Sequence, residues 1–469
     1  MKKLVALLLA LSLVFGMVAC ASDSEPNAPE SADNNTSDPG SSSSGEELEY
    51  IEGTNLLAGK PFDGTTLNLM ISSPGDAQYE NLKLLTEEYF TPMTGITVNW
   101  DMGAYNELYA KEVTEAMAGT TTYDLFAVND TWGPGLRNYM LPLDDYIARD
   151  NVDLTDWADA IVEVGQMGGD GTQYGLPYRG HYMGMYYRTD IYEELGLEIP
   201  ETWDELIENC KIIQEKTDLQ GLSMPYGINA EQNLMPWYSF MYSLGASIFD
   251  EEWRPTFNSE AALNATEMYI GLLTEEGIVS TDNITLNEGD ASMQLATGQS
   301  AHFMGWSWMV QKFINPEITD PELIDKIGIM PVPSFDGENP AVSSITMWTM
   351  GIPANAQNPD AAWEYIKWLT SADTEYKCLS DKSVYNTANC LHNSNLQMDN
   401  IVELTLGAGA YSYECFANAV HPPLFDDWMQ VSDLLQIAIN NCANGADVAS
   451  EMNSAAEQSE QILSDLGYF

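Results

Sequence analysis

The stretch TTLNLMISSPGDAQYENLKLLTEEYFTPMTGITVNWDMGAYNELYAKEVTEAMAGTTTYDLFAV, residues 65–128, decides the fold class. Leu67, Leu69 and Ile71 alternate with other residues and predict a strand over Thr65–Ile71, followed by a helix through Tyr79–Tyr89. Ile96–Trp100 predicts a second strand, Tyr105–Met117 a second helix and Asp124–Val128 a third strand. Strands that alternate with helices in this way imply a mainly parallel sheet covered by helices on both faces, an α/β architecture.

Further along, YGLPY (174–178) and MGMYY (183–187) are two short strand-like pieces separated by Arg179, Gly180, His181 and Tyr182. A helix-rich stretch follows. Thr202 is a good N-cap there, and Glu205 three residues later completes a capping box. Strand signals return at Ala301–Met304, Ile327–Val332 and Ser344–Ile352. Pro359 then opens a helix with Ala361, Ala362, Tyr365, Ile366 and Leu369 on one face, and Val431–Leu466 is mostly helical. No internal repeat is present.

The N-terminus indicates the compartment. Lys2 and Lys3 precede an apolar run from Leu4 to Phe15, which stops at Gly16 before small residues and Cys20. This predicts a signal peptide over residues 1–19. The run is shorter than the roughly 20 residues that span a bilayer as a helix, and no other stretch is as continuously apolar. Met17-Val18-Ala19-Cys20 resembles a bacterial lipobox, with Met where Leu is usual. On that reading Cys20 is lipidated and becomes the new N-terminus; the alternative is an ordinary signal peptide with a chance cysteine. The Ser-, Asn-, Asp- and Glu-rich segment behind it has little to bury, so residues 20–59 are expected to be the lipidated cysteine and a disordered tether.

Net charge is −54, and residues 51–469 alone carry 63 acidic against 15 basic residues. Such a surface repels nucleic acid and anionic lipid, which excludes both as binding partners of the body. A chain this long exceeds what one hydrophobic core supports, so two domains are expected. Five cysteines follow Cys20, namely Cys210, Cys378, Cys390, Cys415 and Cys442. Their odd number leaves at least one thiol free, and a Cys378–Cys390 bridge and five reduced thiols both remain open. GxSxG, HExxH, GK[ST] phosphate-loop and GxGxxG motifs are all absent. No catalytic residue, metal site or cofactor is therefore expected.

Five pieces in order, the lipobox with its tether, YGLPY, ETWDEL (201–206), GQSAHFMGWSW (298–308) and GIPANAQNPDAAWEYIKWLTS (351–371), resemble the family 1 extracellular solute-binding proteins. The resemblance implies a two-lobed α/β fold of the type II periplasmic-binding-protein kind, with mixed sheets flanked by helices and a hinged cleft. Residues 60–179 plus 325–353 would form lobe 1, and 183–324 plus 354–469 lobe 2. Arg179–Tyr182 and Thr349–Pro353 would form the hinge. It further implies a monomer held outside the cytoplasm on the outer face of the membrane by its lipid. There it would capture a small molecule, a saccharide, for the permease of an ABC importer.

A sugar ring needs aromatic surface for its C–H face and planar polar groups for its hydroxyls. Matched locally, the family's cleft positions fall on Ser72, Ser73, Asp76 and Gln78 after the first strand, and on Asn129, Asp130 and Trp132 after the third. Arg179 and His181 stand between the hinge strands. The second lobe would add Asn229, Glu231, Gln232, Trp237, Trp306, Trp308 and Trp428, and the returning strand Trp348. Trp132, Trp237, Trp308 and Trp428 fit a core equally well, Asp76 and Asp130 fit turn or helix caps, and His181 fits a structural histidine. Two other functions are compatible with the residues: the same fold holding a polyamine or other cation, and an extracytoplasmic carbohydrate-active enzyme with paired carboxylates.

Overall fold

The computed structural model describes residues 48–72, 77–169, 171–338, 341–380 and 390–469. The signal peptide, Cys20, the tether up to residue 47, Ser73 and Asp76 lie outside them. Residues 65–128 form β1 (Thr66–Ser72), β2 (Thr97–Gly103) and β3 (Leu125–Asn129), with helices Ala77–Leu85 and Tyr105–Ala118 between them. β1 runs parallel to both β2 and β3. The crossover helices force this direction, since a strand that returns through a helix re-enters the sheet pointing the same way.

The two short pieces expected around residues 174–187 are one strand, β4 (Gly175–Arg188). It pairs antiparallel with β8 (Ser343–Gly351), from Gly175 opposite Gly351 to Tyr182 opposite Ile345. Gly180, which looks like a turn residue in sequence, sits inside this ladder because a Cβ there would lie 2.0 Å from Met347 Sδ. Only a bare backbone permits so close an approach. β5 (Gln220–Ser223), β6 (Ser300–Trp306), β7 (Ile327–Met330) and β9 (Ala419–Val420) complete the strands of the described residues. The order is β2-β1-β3-β8-β4-β6-β5, with β7 against β4 and β9 against β8. β3, β6 and β7 meet the crossing pair antiparallel, so the sheet is mixed.

Each end of this sheet buries its own core. One gathers Leu67, Leu69, Ile71, Leu125 and Val128, and the other Met183, Trp203, Leu222, Phe240, Tyr269, Met304 and Leu435. A third cluster, with Tyr182, Tyr186, Phe303, Phe313, Ile345 and Met347, lies along the crossing strands. The capping box at Thr202 is closed in both directions, as Glu205 N donates to Thr202 Oγ1 (3.3 Å) and Thr202 N to Glu205 Oε2 (3.2 Å). The helix Pro359–Leu369, expected in the second lobe, instead buries Trp363, Tyr365 and Ile366 in the first core. β8 returns the chain to that side and the helix starts eight residues later, so its apolar face meets the nearer sheet. Cys210, Cys378, Cys390, Cys415 and Cys442 are buried and form no disulfide, so Cys378 and Cys390 are not bridged.

A buried ion cluster fastens the entering chain to this lobe. Lys367 Nζ lies 2.6 Å from Asp150 Oδ2 and 2.7 Å from Glu364 Oε1, and donates to Asn55 O. Trp363 Nε1 (2.7 Å) and Arg149 Nε (2.7 Å) also donate to Asp150, as does Tyr50 OH (2.9 Å), and Leu57 N donates to Glu364 (2.9 Å). Residues 50–57, expected to be tether, are therefore part of the folded body. Burial alone would raise the Asp150 pKa, but hydrogen bonds from Arg149, Lys367 and Trp363 outweigh it and hold the carboxyl far below the ordinary range. A depressed carboxylate stabilises the fold above its unfolded pKa near 4, and that contribution is lost as pH falls below it. Lys367→Met, which strands two buried carboxylates, is expected to cost about 3 to 5 kcal/mol at pH 7 in urea unfolding. The difference from wild type should shrink as pH falls below about 4, where Asp150 of the unfolded chain takes up a proton that the native cluster resists.

Candidate functional site

The parallel strands of each lobe end on the same side of the β4/β8 crossing, and open α/β sheets place ligands beyond such carboxyl ends. A cavity of about 480 Å³ lies there. Ser72 closes β1, Asn129 closes β3 and Trp306 closes β6, and all three line it. Its floor comes from one face of the crossing ladder, where Arg179 stands opposite Trp348 and His181 opposite Thr346. A groove of about 670 Å³ also runs between outer helices of the second lobe, but every residue lining it falls between Trp203 and Glu276 and none comes from the crossing strands.

The floor is preorganised by short-range contacts. Arg179 Nε donates to His181 Nε2 at 3.2 Å, and its guanidinium lies 4.6 Å from the centroid of the Tyr79 ring. With Nε2 accepting, a neutral His181 must carry its hydrogen on Nδ1, which is closed to solvent and has no protein partner. Burial and then the Arg179 charge push the His181 pKa well below the ordinary histidine value, so the ring stays neutral. Asn129 Nδ2 donates to Met347 O (3.3 Å), while Asp130 accepts from Met347 N (2.8 Å) and Thr131 N (2.9 Å). Burial lifts the Asp130 pKa to about 6, with those two backbone N–H groups acting against it. Asp130 thus holds β8 against the end of β3 from beneath the cavity.

One wall is aromatic. Trp348 meets Trp132 edge to face at 5.2 Å and Tyr105 at 5.9 Å, and Tyr105 leans on Trp132 at 4.8 Å. Trp132 supports Tyr105 and Trp348, which line the cavity themselves. The facing wall is a turn in which Ala230 (φ 44°) and Glu231 (φ 66°) are both left-handed, a strain of about 1 kcal/mol or more each. It is pinned by Glu231 N donating to Gln436 Oε1 (3.0 Å) and Asn233 Nδ2 to Gln436 O (3.0 Å). The turn brings Asn229 and Gln232 to the cavity, and Trp306 and Trp308 stand beside them.

Of the residues singled out from sequence, Ser72, Asn129, Arg179, His181, Asn229, Gln232, Trp306, Trp308 and Trp348 line this one cavity. Others lie elsewhere. Trp237 is fully buried and donates Nε1–H to Thr266 Oγ1 (2.9 Å) in the second core, where Trp428 packs beside Tyr238 and Phe425. Glu231 is buried beside Trp428 and Ser432, which close no ordinary hydrogen bond to it, and burial raises its pKa to about 7. Gln78 borders a separate small void with Tyr178 and Leu369. Tyr105, Met235, Glu288 and Thr346 line the cavity without having been singled out. Thr346 is two residues from Trp348 on the same strand face, and Tyr105 follows the end of β2, so strand periodicity and the strand-end rule carried a signal for both.

The profile of the bacterial extracellular solute-binding protein family matches residues 76–376. A relative from Sinorhizobium fredii, described as a probable amino-acid ABC transporter periplasmic-binding protein, is 26% identical over 321 residues, covering 67% of this chain and 70% of its own. Maltose-bound MalE3 of T. maritima superposes with a TM-score of 0.72 at 20% identity, over 85% of this chain and all of that one. An ABC transporter solute-binding protein of Agrobacterium radiobacter in complex with ribitol gives 0.72 at 22% identity, over 86% and 100%. These two likenesses show the two-lobed fold. Among the described residues no helix is long and apolar enough to cross a membrane, and no cluster of His, Cys, Asp or Glu is placed to hold a metal ion.

The four histidines are set apart by their surroundings. Burial pushes His302 down to about 4, whereas Glu163 and Glu375 overcome burial to raise His421 and His392. At pH 6.5, nitrogen-15 shifts of the imidazoles are expected to show His181 and His302 neutral, His181 with hydrogen on Nδ1, and His392 and His421 predominantly charged.

Proposed function

We propose that this chain, which belongs to the bacterial extracellular solute-binding proteins, captures an uncharged polyhydroxylated ligand, a saccharide or polyol, between its lobes and delivers it to the permease of an ABC importer. The observation that carries this reading is the lining of one cavity by both lobes. Trp306, Trp308, Trp348 and Tyr105 offer ring faces, and Asn129, Asn229, Gln232, Arg179 and His181 offer planar polar groups. Stacking rewards the apolar face of a sugar or the carbon chain of a polyol, and amide or imidazole groups match hydroxyls that both donate and accept. The relatives with ribitol and maltose bound are consistent with that chemistry.

The relative linked to amino acids makes a zwitterion the natural competitor, and the acidic surface makes a polyamine another. Arg179 on the floor opposes a cation, and His181 beside it stays neutral. The reading contains no bond-breaking step: the ligand enters the cleft, the lobes close about the β4/β8 crossing and exclude water, and the importer receives it unchanged. The protein works as a monomer outside the cytoplasm, tethered through lipid on Cys20, where two acyl chains hold firmly and one holds marginally.

Thermal unfolding against polyols, saccharides, amino acids and polyamines tests the ligand class. A neutral polyol or sugar at 100 times its Kd should stabilise the protein by about 2.7 kcal/mol, since only the folded state binds it. Trp306→Ala and Trp348→Ala should each weaken binding about fivefold or more, while Trp237→Ala should lower stability in the absence of ligand. A large loss of ligand-free stability with unchanged affinity in both cleft variants would sink the assignment. For the anchor, Cys20→Ala should release the protein from the membrane fraction with ligand binding unchanged, and retention of the variant on membranes would reject lipidation at Cys20.

A further inference from the structure

Asn229 Nδ2 donates to Gln232 Oε1 at 3.2 Å, and the same oxygen accepts from Glu288 N at 3.0 Å. These three residues form one polar strip along the cavity, close to Trp306. Glu288 opens the helix Glu288–Ala296, whose cap is supplied by Asn287 accepting from Asp290 N at 2.9 Å. The Glu288 side chain is thus not spent on capping. It is 8% exposed, it borders the cavity, and its Oε1 has no hydrogen-bond partner. The nearest cation does not serve it, because Lys312 Nζ donates to Gly289 O at 3.1 Å and to Ser292 Oγ. A buried carboxyl oxygen without a partner is costly, so native proteins keep one where something else completes it.

We infer that Glu288 is a specificity-determining residue of the cleft, whose carboxyl group hydrogen-bonds a hydroxyl of an uncharged ligand. The inference rests on the capture reading above and sharpens it. Burial raises the Glu288 pKa to about 8, against the backbone N–H of Trp306 and the charge of Lys312. The other ionisable groups around it are Asp290 on its own helix, the Tyr186 phenol of β4, which donates to Trp306 O (2.9 Å) and Ser307 O (3.0 Å), and Arg179 and neutral His181 on the cavity floor. At neutral pH Glu288 is therefore an uncharged acid with one O–H to donate and lone pairs to accept. That is the complement of a hydroxyl, and it offers little to an ammonium group. A ligand hydroxyl bonded to the protonated carboxyl favours that form over the carboxylate, so the complex holds this proton more tightly than the free protein. By linkage, affinity falls as pH rises through about 8.

The experiment is calorimetric titration of the intact mature protein with ribitol, mannitol, tagatose and maltose from pH 6.5 to 9, on wild type, Glu288→Gln and Glu288→Ala. For the probe that binds, the wild type should weaken about tenfold between pH 7 and pH 9. Glu288→Gln keeps a donor and an acceptor but cannot ionise, so it should bind within about threefold of wild type at pH 7 and lose the pH dependence. Glu288→Ala should bind about tenfold more weakly at pH 7, with ligand-free melting temperature unchanged or raised, because burying a carboxyl with one unpartnered oxygen offsets what its contact with Trp306 N contributes. Affinity that ignores both substitutions, affinity that rises with pH, or a Gln variant as weak as the Ala variant overturns the role of Glu288 while leaving capture intact. Failure of every probe to bind wild type overturns the capture reading and this role together.

Discussion

The antiparallel ladder between β4 and β8 is the constraint from which the rest of the structure follows. It runs from Gly175 opposite Gly351 to Tyr182 opposite Ile345 and joins the strands of one lobe to those of the other in a single sheet. Backbone hydrogen bonds along it fix register, and a slip of one residue would turn every side chain to the opposite face. Arg179, His181, Thr346 and Trp348 share the cavity face only because that register is held. Three side devices hold it: Gly180 lets Met347 come close, Asp130 binds Met347 N, and Asn129 binds Met347 O.

The molecule keeps charge and recognition apart. Its acidic residues are overwhelmingly in excess, yet the groups around the cavity are mainly aromatic rings, amides, an arginine, a neutral histidine and one buried acid. The carboxyls buried around it, Asp130, Glu231 and Glu288, all have pKa values raised by burial. The surface charge suits solubility and repulsion of other polyanions, while the low-dielectric cleft strengthens hydrogen bonds to a neutral ligand. The same low dielectric explains the Lys367 cluster. There three charges tolerate burial because each meets an opposite charge and a network of donors.

Much of the fold was legible in the sequence because local signals agreed with one another. The alternation of residues 65–128, the capping box at Thr202 and the helix opening at Pro359 all correspond to elements of the structure. The crossing strand reads as two pieces in sequence because Arg179–Tyr182 has the composition of a turn, and only pairing with β8 makes it a strand. The placement of Pro359–Leu369 followed the same pattern. Its amphipathic face was plain, but which sheet it covers depends on where β8 delivers the chain. Residues 50–57 looked like linker, and a lysine three hundred residues away makes them part of the body.

By itself the sequence determined the α/β class, the family, an acidic exterior and the segments whose ends meet at the cleft. Those properties are written in periodicity, order and composition, which need no distant partner. Tertiary structure alone decided which tryptophans meet the cavity, Trp306, Trp308 and Trp348, and which fill a core, Trp237 and Trp428. It also decided that Glu288, one acid among many, borders the cleft with an unpartnered oxygen. The physical reason is common to both. An indole or a carboxyl has the same local signature wherever it points, and its burial, partners and ionisation are set by residues that come near only when the sheet closes around the crossing strands.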